Sequence, residues 1–223
     1  TPTYWSTHHY PSTTLTVLSP LLHQRIFPAV VIGTMVHGTR YFERERFDYQ
    51  IYGGTKEGFD GTQENENYVD GGEALGGKVV AHLRPSRFFE TTDLGVHLYS
   101  DRKGGGHQNI YGFETRIERE RFELLGEFAH SDVWIANGSR CFFREGYYLQ
   151  PGLQIAKGTH LYYRYDRLNS DSRSPAGTLA RHTSGINFRP QPSVSLKLEW
   201  NSNAEGEAQR VRSNGLAAAV SFF

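Results

Sequence analysis

The stretches VSLKLEWN at residues 194–201 and LAAAVSFF at residues 216–223 decide the fold of this chain. Side chains of an extended strand point alternately to opposite faces. In the first stretch this separates an apolar set from a polar set: Val194, Leu196, Leu198 and Trp200 against Ser195, Lys197, Glu199 and Asn201. The pattern predicts a two-faced antiparallel sheet, and the open question is whether the apolar face meets a protein core or lipid.

The same period of two continues through the chain from Ala29 onward and predicts eleven strands, or twelve if residues 13–18 form one. Residues 1–28 lack this period and are predicted as an irregular N-terminal segment, in which residues 21–27 could form a helical turn; residues 29–223 form the β domain. Short turns predicted at 43–46, 85–90, 118–121, 156–159 and 190–193 alternate with long loops at 55–77, 101–108, 132–145, 169–180 and 201–212. This alternation is typical of an up-and-down transmembrane barrel.

The composition excludes several classes of protein. The 24 basic and 24 acidic residues balance, so there is no electrostatic reason to expect nucleic acid as a partner. A single cysteine rules out an internal disulfide. The sequence contains no serine hydrolase elbow, zinc protease motif or P-loop. We therefore predict a protein that is not an enzyme, with no cofactor and no metal site; His8–His9 and the acidic residues 60–70 are interpreted as parts of exposed loops.

The polar faces of the predicted strands carry formal charges in mid-strand. An unpaired charge in a dry core costs several kcal/mol, whereas a charge facing a water-filled lumen costs little. The alternative is a soluble sheet with its apolar face on a core and its polar face in solvent. On the membrane reading, nine charged residues are candidate pore-lining groups: Glu114, Arg116, Glu123, Glu127, Arg164, Asp166, Arg189, Lys197 and Glu199.

Several stretches resemble the later strands of Gram-negative outer-membrane porins, most closely the phosphate-selective porin O and P family. They are GYYLQ at 146–150, YYRYDRL at 162–168 and GINFRPQPSVSLKLEW at 185–200, and the terminal Phe223 is similar to the assembly signal of such barrels. The resemblance implies an all-β, antiparallel up-and-down transmembrane barrel in the cell outer membrane, with about 12 strands here from a barrel of about sixteen. Because the inward charges here are of both signs, the resemblance does not imply the family's anion selectivity for this chain.

The sequence thus predicts a porin-like channel for passive diffusion of small polar or ionic solutes. Its partners would be outer-membrane lipid, small ions or solutes, and either a homo-oligomer or a larger membrane assembly, with no nucleic acid. The alternative function is a structural barrel component of a larger assembly whose lumen is occupied by a partner. The inward charges would either set ion preference or simply pair with one another across the wall.

Overall fold

A computed structural model describes residues 15–27, 30–43, 45–57, 72–103, 106–134, 140–173, 177–191, 193–206 and 211–222. One short helix, α1 (Leu21–Arg25), precedes eleven strands. The strands are β1 (Val30–Phe42), β2 (Glu45–Glu57), β3 (Glu73–Leu83), β4 (Thr91–Lys103), β5 (Gly106–Arg119), β6 (Phe122–Trp134), β7 (Arg140–Ala156), β8 (Thr159–Asn169), β9 (Thr178–Gln191), β10 (Val194–Glu205) and β11 (Val211–Phe222). No helix in these ranges is long and apolar enough to cross a membrane.

The strands form one antiparallel sheet in which each pairs with its neighbours in the chain, in the order β1 to β11. The predicted up-and-down all-β architecture is confirmed, as is the helical turn within residues 21–27. The described residues form eleven strands, the lower of the two predicted counts, and residues 15–18 of the possible twelfth strand at 13–18 are not a strand. Those four residues lie against the face of the sheet and hydrogen-bond to its side chains.

Most strands are longer than predicted, so the loops between them are shorter. β4 and β5 continue through the predicted loop 101–108 and leave only residues 104–105 between them. Residues 84–90, predicted as a short turn, form a longer connection than the other predicted short turns. At the tightest turns Glu120 and Gly158 have φ of 50° and 72°. A Cβ on Gly158 would lie 2.3 Å from the carbonyl oxygen of Arg189, so this turn requires glycine.

The two faces of the sheet have different surroundings. Residues 15–27, here called the inner segment, lie against one face and contact side chains of strands from β4 to β10. Buried side chains of the same face on β2 to β8 also join the helix in one apolar cluster, so the sheet curves around the segment. That face is therefore concave, and it is the face to which the charged residues of the period-two pattern point.

The convex face is apolar and exposed. Large side chains that alternate with the inward ones remain between about a third and three quarters accessible, among them Ile51, Leu75, Leu98, Leu149, Leu198, Trp200 and Leu216. Exposed apolar surface on this scale is unusual for a monomeric soluble protein and is typical of surfaces that contact another protein or a membrane.

The two end strands differ from the others. Among the described residues β1 pairs only with β2, and β11 only with β10. Both faces of these strands are largely accessible, as at Thr34 and His37 in β1 and at Asn214 and Gly215 in β11. The inner segment thus covers the middle of the sheet and leaves its two ends bare.

Candidate functional site: the filled concave face

The backbone of the inner segment is held by charged side chains of β10. Glu199 is fully buried and accepts hydrogen bonds from the amide of Val17 at 2.8 Å and the amide of Leu18 at 3.4 Å. The hydroxyl of Tyr162 donates to the same carboxylate at 3.0 Å. The Nζ of Lys197 donates to the carbonyl oxygen of Thr16 at 3.2 Å. Residues 15–20, which precede the helix and form no strand, need such partners, because their buried amides and carbonyls would otherwise lack hydrogen bonds.

A buried charge cluster on β8 and β9 continues the same contact. Arg164 and Asp166 are fully buried and form an ion pair, with Nε 2.9 Å from Oδ2. Arg164 also donates to the hydroxyl of Thr16 at 3.1 Å and the carbonyl of Leu18 at 3.0 Å. Asp166 accepts from the amide of Leu21 at 3.0 Å, and Arg181 bonds both Asp166 and the carbonyl of Ser19. Each charge therefore has an opposite charge and a partner in the segment, which offsets the cost of desolvating it.

Helix α1 supplies the apolar part of the contact. Leu22 and Ile26 are 1% and 0% exposed. They belong to a cluster of buried residues that combines the segment with seven strands of the sheet: Leu21, Leu22, Ile26, Phe27, Tyr52, Ala74, Tyr99, Ile110, Leu125, Ala129, Tyr148 and Leu168. Beside this cluster the ring of His23 packs on Phe27 and lies 2.8 Å from a carboxylate oxygen of Glu127. The segment is thus packed as a core element rather than laid loosely on the sheet.

Charges on β3, β5 and β6 form further pairs on the concave face. Lys78 and Glu114 are both buried, with Nζ 2.6 Å from Oε1. Arg116 bonds Glu118 and, at 3.3 Å, Glu123. Lys78–Glu114 and Arg116–Glu123 join different strands, as in the alternative in which inward charges pair with one another, whereas Arg116–Glu118 lies within β5.

The structure therefore places all nine predicted pore-lining residues on the concave face, and five of them contact the inner segment directly: Glu127, Arg164, Asp166, Lys197 and Glu199. Of the other four, Glu114, Arg116 and Glu123 form the pairs just described, and Arg189 is half-buried on β9. Sequence reasoning missed Lys78, Arg181 and Asn187, although strand parity puts them on the same face. It also missed His23, because its partner Glu127 is 104 residues away in the chain.

Part of the concave face is still open. A cavity of about 630 Å³ lies over β2 to β5, toward the end of the sheet where residues 84–90 turn. Its walls carry charges of both signs: Arg46, Asp48, Lys78, His82, Asp93, Glu114 and Arg116. Within it His82 bridges two carboxylates, with Nε2 2.8 Å from Asp48 and Nδ1 2.7 Å from Asp93. Such a cavity suits water and small ions.

One group on the concave face has the donor types of a metal site. His97, Glu114 and Glu127 are buried, and one ligand atom from each lies within 4.8 Å of the others. His8–His9 and residues 60–70, which the sequence suggested as exposed loops, lie outside the described residues. Comparison of the sequence with protein-family models and with curated proteins gives no match.

Proposed function

We propose that this chain belongs to an outer-membrane β-barrel whose interior is closed by its own residues 15–27. On this proposal it serves as a structural or closed barrel component rather than a freely open pore. The single observation that carries the proposal is the burial of inward charges against the backbone of the inner segment, as at Glu199 and Arg164. The occupant of the lumen would then be part of the same chain instead of a separate partner.

The membrane part of the proposal is supported by the convex face. An apolar band of exposed side chains alternates with inward polar residues along every middle strand, as expected for strands between lipid and a lumen. Backbone groups in lipid must all be hydrogen-bonded, so the free edges of β1 and β11 would need to pair with each other or with further strands. The proposed likeness to the later strands of sixteen-stranded porins fits the second arrangement.

Conductance across planar bilayers tests the closed state. We expect the refolded chain to give no conductance steps, and a variant lacking residues 1–27 to give them, because deletion empties the concave face. Heat-modifiability on gels without boiling would check that both proteins are folded. Steady steps from the unaltered chain would contradict the closed barrel, and a chain that stays monodisperse without detergent would contradict the membrane location.

The cavity over β2 to β5 favours a second candidate, the porin-like channel for passive diffusion. A polar space of about 630 Å³ beside the inner segment would let small solutes enter without displacing the segment. On this candidate, conductance would be present in the unaltered chain and would change its ion preference when Arg46 or Asp48 is neutralised, since both line the cavity.

A further inference from the structure

We propose that His97, Glu114 and Glu127 form a binding site for a divalent transition metal ion of the Zn²⁺ class. The three residues lie on consecutive strands β4, β5 and β6 and point to the concave face. One nitrogen or oxygen from each lies within 4.8 Å of the others. The proposal does not depend on whether the sheet closes or conducts.

The polar atoms of this cluster are buried but incompletely paired. His97 is 5% exposed and Glu127 is 3% exposed. Neither ring nitrogen of His97 has a hydrogen-bond partner, and Oε1 of Glu127 has none. Buried polar groups are almost always hydrogen-bonded, since leaving one without a partner costs on the order of 1–3 kcal/mol. An ion bound between these atoms would satisfy the ring nitrogen and the free carboxylate oxygen together.

The strand register brings two carboxylates face to face. Glu114 is the direct cross-strand partner of Glu127, an arrangement of like charges that destabilises a sheet unless a cation intervenes. Lys78 lies 2.6 Å from one oxygen of Glu114, and His23 lies near one oxygen of Glu127. These contacts engage Oε1 of Glu114 and Oε2 of Glu127, which leaves Oε1 of Glu127 and the ring of His97 available to a metal ion.

Two glycines make room for the cluster. A Cβ on Gly112, the cross-strand partner of His97, would lie 2.2 Å from Nε2 of that histidine. A Cβ on Gly95, the partner of Glu114, would lie 2.5 Å from its Cγ. Any other residue at either position would push the ligand side chain away, so the local sequence is suited to holding the ring and carboxylate flat against the sheet.

The donor set selects the class of metal. Imidazole nitrogen with carboxylate oxygens is typical of Zn²⁺ and its neighbours, whereas Ca²⁺ and Mg²⁺ take oxygen ligands almost exclusively. Bonds of about 2.0–2.2 Å in a tetrahedral site require ligand atoms about 3.4 Å apart. The spread of up to 4.8 Å therefore calls for a small inward rotation of the side chains on binding.

Metal binding is measured on the full refolded chain in detergent after treatment with a chelator. Zn²⁺ is titrated against a competing indicator for the unaltered chain, for His97→Gln, for Glu127→Gln and for the control His107→Gln, whose ring stacks on Trp134. We expect one tight site in the unaltered and control chains, weakened by more than about tenfold in the other two, since even loss of an outer-shell partner costs that much. Weaker binding by other histidines, such as His8 and His9, is common to all four proteins and cancels.

Equal Zn²⁺ affinity in the unaltered chain and in His97→Gln overturns the proposal. If either variant fails to fold, as judged by circular dichroism and heat-modifiability, Co²⁺ replaces Zn²⁺ in the unaltered chain. Intense visible bands of a tetrahedral Co²⁺ site are then expected, and their absence overturns the proposal as well.

Discussion

Replacing Glu199 by glutamine is the sharpest test of how the inner segment is held. The carboxylate accepts from Val17, Leu18 and Tyr162, and the side chain is fully buried. Glutamine keeps the shape but offers one acceptor oxygen, and its NH₂ group would face a donor. A hydrogen bond to a charged group contributes about 1.5–3 kcal/mol, so losing the charge and one good bond should weaken docking of the segment by about 2–4 kcal/mol.

Hydrogen exchange of the Val17 and Leu18 amides, measured by NMR or mass spectrometry in micelles, reports this free energy directly when the segment opens locally. A loss of about 2–4 kcal/mol corresponds to exchange that is about thirty- to seven-hundred-fold faster, at 1.4 kcal/mol per factor of ten. Glu205→Gln is the matched control, because Glu205 is exposed on the same strand. Equal exchange rates in the two variants would refute the idea that Glu199 anchors the segment.

Three further predictions follow from other parts of the molecule. Leu98→Arg, on the convex face, should lower the free energy of unfolding in lipid vesicles by about 2–4 kcal/mol, measured by urea titration. The control Phe88→Arg, in the turn 84–90, should lower the same free energy by only about 0–1 kcal/mol. Equal effects of the two substitutions would argue against lipid contact. Gly112→Ala should lower the free energy of unfolding by about 1–3 kcal/mol in the same titration, because the added Cβ would clash with His97. The control Gly215→Ala should change it by less than about 0.5 kcal/mol, because a Cβ there has no atom within 4 Å. In the loop after β8, hydrogen bonds from Arg173 hold the pKa of Asp171 below its ordinary value. The pair therefore stabilises the folded protein at pH values above the pKa that Asp171 has in the unfolded chain. This stabilisation is lost as the pH falls through the lower pKa of Asp171 in the folded protein. An NMR titration should show that pKa rising in Arg173→Gln, and an unchanged value would contradict the pairing.

Strand alternation made the fold and the faces of the sheet predictable from sequence. Parity alone assigns Glu114, Glu127 and Glu199 to one face, and Leu98 to the other, because side chains repeat every two residues. The ends of strands were less predictable, since pairing with a neighbour extends a strand through polar residues, as in β4 and β5 across 101–108.

The contents of the concave face could not be predicted in this way. Residues 15–19 have no period, and their partners, such as Glu199 and Arg164, lie far along the chain. The sequence predicted no metal site, because His97, Glu114 and Glu127 are separated by 17 and 13 positions and meet only through the register of three strands. Periodicity identifies a face, but only the register shows which residues on that face are neighbours.

The contacts of the inner segment also bear on how the chain reaches its native state. Val17 and Glu199 are 182 residues apart in sequence, and His23 and Glu127 are 104 apart. Contacts between such distant residues require the closure of very long loops, and proteins dominated by them fold slowly. The inner segment can dock fully only after β8 to β10 have formed. We therefore expect refolding to end in a slow phase that buries residues 15–27 against a sheet already formed.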